Sequence, residues 1–151
     1  MQKLQVGDAA PAFSMANENG EILTLESFKG QKLVLYFYPK DNTPGCTTEA
    51  CNFRDNFSEL RKAGYQVLGV SMDTMRKHQN FIAKFELPFS LLADTNKEVI
   101  EAYGVWGEKK FMGRTFDGIK RTTFVIDEKG TIERIIEKVN NKQATHQILQ
   151  G

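Results

Sequence analysis

An α/β domain whose mixed central sheet is flanked by helices on both faces is the fold class that this 151-residue sequence predicts. Three observations carry the expectation. A nearly all-apolar run, KLVLYFYP at 32–39, has the look of a strand buried on both faces. Helical stripes then alternate with further strand-like runs, the pattern of a parallel sheet with crossover helices. Near the C-terminus, two β-rich runs flank a tight turn and add an antiparallel edge.

Composition sets the outer bounds. A hydrophobic share of 40% suits one core, so residues 1–151 are expected to form a single domain. The net charge of +1 offers no basic excess for nucleic acid, and the expected partner is small or neutral. The opening segment MQKLQVGDAAPAFSMANENG lacks the long apolar run of a signal peptide. The apolar run from Leu33 to Tyr38 is too short to cross a membrane. A cytoplasmic protein with no membrane contact is therefore expected, and in that compartment thiols stay reduced.

The elements follow in order. The strand at 32–39 is bounded by Gly30 and Pro39. After it, Thr43 can cap a helix and Pro44 suits the first helical position, where a missing N–H costs nothing. Cys46, Ala50, Phe53, Phe57 and Leu60 recur at helical spacing, and Gly64 closes the stripe. A second strand is expected at Tyr65–Met72, then a helix near Met75–Phe85 with Asp73 or Thr74 as cap. Leu87–Ala93 suggests a short strand around Pro88. Thr95-x-x-Glu98 has the pattern of a capping box, opening a helix to about Tyr103. Arg121–Ile126, the turn Asp127–Gly130 and Thr131–Ile136 form a strand, a turn and a strand. Thr145–Leu149 is expected to be a terminal helical turn. This order is a thioredoxin-like layout, and open α/β sheets gather their sites just past the carboxyl ends of strands.

The chemistry concentrates in PKDNTPGCTTEAC, residues 39–51, which hold both cysteines of the chain. A close pair of thiols in a reducing compartment points to catalysis, redox sensing or metal binding. Cys46 falls in the first turn of its helix, where unpaired N–H groups and the positive end of the dipole favour a thiolate. That makes it the candidate nucleophile; the plainer alternative is a small buried hydrophobe on an apolar stripe. Cys51 lies five positions on, roughly 140° around the axis and about 8.6 Å away between Cα atoms. A disulfide needs Cα atoms within about 7 Å, so an intact helix cannot hold this bond. If the two thiols join, the first turns must unwind. An incidental second thiol is the alternative for Cys51. Zinc is disfavoured: a structural site wants four ligands, and His78 and His146 lie far off in sequence and are expected on helix surfaces. No Cys-x-x-Cys is present, which disfavours a general disulfide oxidoreductase of the thioredoxin type.

Pro39, Thr43 and Cys46 match the Pro-x-x-x-Thr-x-x-Cys pattern of the peroxiredoxins. The segments YFYPKDNTPGCTTEAC, VWGEKKFMGRTFDGI and KRTTFVID, with VGDAAPAFS and ESFKG before them, resemble the bacterioferritin comigratory, or peroxiredoxin Q, subfamily. The similarity reaches to about residue 140; the polar VNNKQATHQILQG end departs from it.

The resemblance implies a thioredoxin-dependent peroxidase for hydrogen peroxide and small organic hydroperoxides, a monomer without metal or cofactor. Cys46 resembles the peroxidatic cysteine, which becomes a sulfenic acid. Cys51 resembles the resolving cysteine, which would close an intramolecular disulfide that a dithiol donor reduces. Thr43 resembles the residue whose hydroxyl bonds the peroxide, and Pro39 the residue that shields the thiolate. Arg121 resembles the arginine that stabilises the thiolate, a role suited to its permanent charge and rigid fork of donors; a solvated strand-end charge is its plainer alternative. Glu49 resembles the carboxylate that holds this arginine; alternatively it is a first-turn Glu favoured by the dipole. A redox sensor using the same switch without sustained turnover is the rival function.

Overall fold

The computed structural model describes residues 3–150. A short hairpin, β1 (Ser14–Ala16) and β2 (Ile22–Thr24), opens the chain and leads into a 3-10 turn at Leu25–Phe28. Strand β3 (Lys32–Phe37) follows, then α1 (Pro44–Asp55), α2 (Phe57–Lys62) and β4 (Tyr65–Ser71). Next come α3 (Met75–Phe85), β5 (Ser90–Ala93) and α4 (Glu98–Ala102). The hairpin β6 (Trp106–Phe111) and β7 (Arg114–Ile119) precedes β8 (Thr122–Ile126), β9 (Ile132–Ile136) and α5 (Ala144–Leu149).

The central sheet has five strands in the order β5-β4-β3-β8-β9. β3 pairs in parallel with β4 and antiparallel with β8, so the expected mixed sheet is present with β3 at its middle. Side chains alternate across a strand, and β3 serves both faces. Leu33, Leu35 and Phe37 join Leu68, Val70, Phe124 and Ile126 on one side. Val34, Tyr36 and Tyr38 join Cys46, Ala50, Phe53 and Phe81 on the other.

Local chemistry refines several boundaries. The stripe from Cys46 to Leu60 is interrupted at Asn56, which divides it into α1 and α2. The Asn56 side-chain amide donates to the Asn52 carbonyl at 2.8 Å, so a short polar side chain competes for the helix's own acceptor. Of the two cap candidates for α3, Thr74 accepts from the Lys77 N–H, while Asp73 turns back to β4. β5 begins at Ser90 rather than Leu87, because Pro88 has no N–H for a ladder. The Thr95 capping box does not form. Asp94 takes that role and accepts from the N–H groups of Glu98 and Ile100 at 2.8 Å each.

Both two-stranded hairpins were absent from the sequence expectations. β6 and β7 meet at Met112-Gly113, with φ of 50° and 79°. Positive φ at both central residues is the geometry of a type I′ turn, here with Met where Asn or Gly is usual.

Candidate active site

β3 delivers the chain to a loop at residues 38–43, and α1 starts immediately beyond it. Cys46 is therefore the third residue of α1, just past the carboxyl end of the central strand. Its side chain is 2% exposed. Arg121 arrives from the other direction. It directly precedes β8, whose antiparallel register sets Thr122 opposite Phe37. That pairing brings together residues 75 positions apart in sequence.

The guanidinium then bridges two side chains one turn apart on α1. Its Nη2 donates to Cys46 Sγ at 3.1 Å, and its Nη1 donates to Glu49 Oε1 at 2.6 Å. Glu49 is fully buried, and its Oε2 has no hydrogen-bond partner among the described residues. Burial outweighs the pull of Arg121 and pushes the Glu49 carboxyl up to about 7. For Arg121, burial acts downward, but Glu49 and Cys46 together raise it above its ordinary value. Arg121 is thus no solvated strand end, and Glu49 is no ordinary first-turn residue.

Thr43 is the N-cap of α1 by position, but its hydroxyl does not cap. It donates to the Lys40 carbonyl at 2.8 Å, while the Thr43 carbonyl accepts the first helical N–H from Thr47. Pro39 is half-buried in the same loop. Cys51 is half-buried on α1 and belongs to neither core cluster. Both thiols are free, and α1 is continuous across them.

The site also includes residues that the sequence did not single out. A Cβ at Gly45 would lie 3.0 Å from Asn141 Nδ2 and 3.4 Å from Arg121 Nη2, so the helix start needs a bare backbone there. Lys109 donates from Nζ to the Ile119 carbonyl. Burial and the charge of Arg121 lower it, and Cys46 acts in the opposite sense, which places a second cation within electrostatic reach of the thiol.

Behind the loop lies a buried polar network. His78 was expected on a helix surface; it is 0% exposed. Its Nδ1 meets Asp41 Oδ2 at 2.7 Å, and its Nε2 meets the Leu92 carbonyl at 2.9 Å. The ligand atoms of Asp41, Asp73 and His78 lie within 4.8 Å of one another. The Asp41 and His78 atoms that would face an ion are already engaged by hydrogen bonds. His146 is exposed, as expected. Among the described residues, no helix is long and apolar enough to cross a membrane.

Residues 6–135 match the AhpC/TSA family model. The chain belongs to the AhpC/TSA family. It is 50% identical to peroxiredoxin Bcp of Escherichia coli K12 over 137 residues, which span 91% of this chain and 88% of that one. Peroxiredoxin Bcp of Bacillus subtilis is 42% identical over 147 residues, covering 97% and 94% of the two chains. Among solved structures, a Xylella fastidiosa PrxQ cysteine-to-serine mutant superposes with a TM-score of 0.92 at 30% identity, covering 99% of this chain and 96% of that one. The Xanthomonas campestris bacterioferritin comigratory protein, studied for alkyl peroxide reduction, gives a TM-score of 0.86 at 35% identity, covering 95% and 96%. These relatives bear out the resemblance to the peroxiredoxin Q subfamily and the thioredoxin-like fold. Membership in this family makes the chain a thiol-dependent peroxidase.

Proposed function

We propose that Cys46 is the peroxidatic thiol, Cys51 its resolving partner, and Arg121, Thr43, Pro39 and Glu49 the groups that prepare the first step. The observation that supports this most directly is the guanidinium fork, with one arm on Cys46 Sγ and the other on Glu49. A charged donor beside sulfur stabilises a thiolate and can polarise the peroxide that it attacks.

The thiolate attacks the terminal peroxide oxygen and the O–O bond breaks. Water or an alcohol leaves, and sulfur becomes a sulfenic acid. The Cys51 thiol then displaces hydroxide from that sulfur as water, giving a Cys46–Cys51 disulfide. A dithiol donor of the thioredoxin type restores both thiols by exchange. Because α1 holds the two cysteines in one continuous helix, the second step needs its first turns to unwind. The substrates are hydrogen peroxide and small organic hydroperoxides. The resemblance to the peroxiredoxin Q subfamily suits a monomer, and the use of free thiols suits the cytoplasm.

The test mixes reduced protein with one equivalent of hydrogen peroxide in stopped flow, followed through the fluorescence of Trp106. Mass spectrometry then locates any disulfide. The expected result is fast peroxide loss and a Cys46–Cys51 bond. Cys46→Ser should be inert; Cys51→Ser should consume one equivalent and stop as sulfenic acid. Wild-type-like turnover by Cys46→Ser sinks the assignment. Oxidation in a single turnover, without recycling by thioredoxin, would favour the sensor instead.

A further inference from the structure

We infer that His78 and Asp41 form a positioning pair that holds the loop at residues 39–43 in its peroxide-ready geometry. The inference rests on Cys46 being the reacting thiol.

Asp41 sits at the middle of the loop and is 8% exposed. It is tied down on three sides. Its Oδ1 accepts from the Tyr38 hydroxyl at 2.5 Å. Its Oδ2 faces His78 Nδ1, on α3. Its backbone N–H donates to Asp73 Oδ2, an oxygen that also accepts from the Ser71 hydroxyl at 2.6 Å. Asn42 comes next with φ of 59°, a conformation that must be held in place. Its Oδ1 accepts from Lys84 Nζ at 3.3 Å, so α3 grips the loop a second time. Thr43 and the start of α1 follow directly.

The proton inventory of His78 fixes the direction of its bonds. The Leu92 carbonyl can only accept, so Nε2 carries a hydrogen. Nδ1 and Asp41 Oδ2 share one more proton between them. A paired buried charge adds little net stability over an apolar core of similar shape. What it supplies is a single defined geometry, here at the residue before Asn42 and Thr43. His78 touches neither Cys46 nor Arg121 through any hydrogen bond described; it acts on the thiol through Asp41.

Two substitutions separate position from stability. An Asn amide reaches where His Nδ1 was, whereas a Gln amide reaches where Nε2 was. His78→Asn therefore keeps the bond to Asp41 and loses Leu92, while His78→Gln does the reverse. Each deletes one buried hydrogen bond, and His78→Gln, which leaves Asp41 Oδ2 without its partner on α3, should lose more thermal stability, so both rates are read well below either melting point. The bimolecular rate with hydrogen peroxide should not fall equally. His78→Gln is expected to slow it by about tenfold to a hundredfold, the range that misplacement near a reacting centre produces. His78→Asn should stay within about threefold of wild type, because the loop anchor survives. Disulfide closure after sulfenic acid forms should be alike in both, since α1 is then unwound. Asp41→Asn gives a further check: its amide can accept from Tyr38 and donate to His78 Nδ1, so its peroxide rate should also be retained. If His78→Gln does not fold, Asp41→Ala removes the same contact from the loop side and takes its place. Equal slowing in His78→Asn and His78→Gln, or slowing in neither, overturns the inference. A tenfold loss in Asp41→Asn, with its hydrogen bonds intact, overturns it too. A wild-type protein whose Cys46 does not react removes the underlying assignment as well, which distinguishes the two failures.

Discussion

Glu49 places a carboxyl where the protein gives its charged form little solvation. Its carboxyl is raised from 4.5 to about 7 by burial, against the opposing pull of Arg121. The sign of the linkage follows: between those values the folded protein keeps a proton that the unfolded chain has released, so stability declines as pH rises through that window. Activity should run the other way, because ionised Glu49 is the better anchor for the guanidinium. The peroxide rate constant of the wild type should therefore climb through pH about 7, and Glu49→Gln should remove that inflection. Rate measurements from pH 5.5 to 8.5 check this; an inflection that persists in the variant refutes it. Cys46, Thr43 and Arg121 were legible because a cap, a first helical turn and a motif mark them. The burial of Glu49 was not, since sequence distance hides what a side chain 72 positions away will cover. His78 was misjudged among the polar neighbours Arg76, Lys77 and Gln79. It shares a helix face with Phe81 and Phe85, at steps of three and four, and that stripe was the signal for burial.

At the level of elements, α1 is clasped by the C-terminal segment, the part that departed from the family pattern. Asn52, the neighbour of Cys51, donates from Nδ2 to the Lys142 carbonyl at 2.8 Å. Its Oδ1 accepts from the Thr145 N–H at 2.9 Å, and its carbonyl accepts from the Thr145 hydroxyl. In the proposed cycle Cys51 must shift toward Cys46, and these bonds hold the residue next to it. Asn52→Ala should then speed closure of the Cys46–Cys51 disulfide by about threefold to tenfold, the effect of losing roughly one net hydrogen bond. Its peroxide step should change little. Quenched mass spectrometry follows the disulfide directly, and an unchanged or slower closure would show that the clasp does not gate unwinding. The strong elements, β3, β4, α1, α3, β8 and β9, were readable from apolar period and turn residues. β1, β2, β6 and β7 were not, because β1 and β2 are only three residues each and the polar ribbon of β6 and β7 buries too little to leave a pattern. The interruption at Asn56 lay in one side-chain hydrogen bond, which no periodicity reports.

Across the whole molecule, both faces of the central sheet are filled, and the thiol belongs to the face of Val34, Tyr36 and Tyr38. Gly69 of β4 lies opposite Tyr36 of β3. A Cβ there would stand 2.7 Å from Leu91 Cδ2 and 2.9 Å from Tyr36 Cζ. Gly69→Ala should destabilise the fold by about 1–3 kcal/mol, because it overpacks a filled layer. A urea midpoint equal to that of the wild type would contradict this. The fold class was legible in full outline, since right-handed crossovers leave few ways to arrange such a run of elements. Composition and periodicity did not supply the pairing across the sheet that seats Arg121 beside Cys46; only the motif pointed to it.

That pairing divides the site into a part that moves and a part that stays. In the proposed cycle Cys46 rides on a helix that opens, whereas Arg121 directly precedes β8, whose Thr122 pairs with Phe37 of the central strand. Unwinding would take both hydrogen-bond partners, Cys46 and Glu49, from the guanidinium but leave its backbone beside the sheet. The returning helix would meet an arginine whose backbone is already beside the sheet, so the long excursion between distant parts of the chain need not be repeated. In that cycle the site would reset by local refolding, with the sheet keeping the arginine's backbone in place.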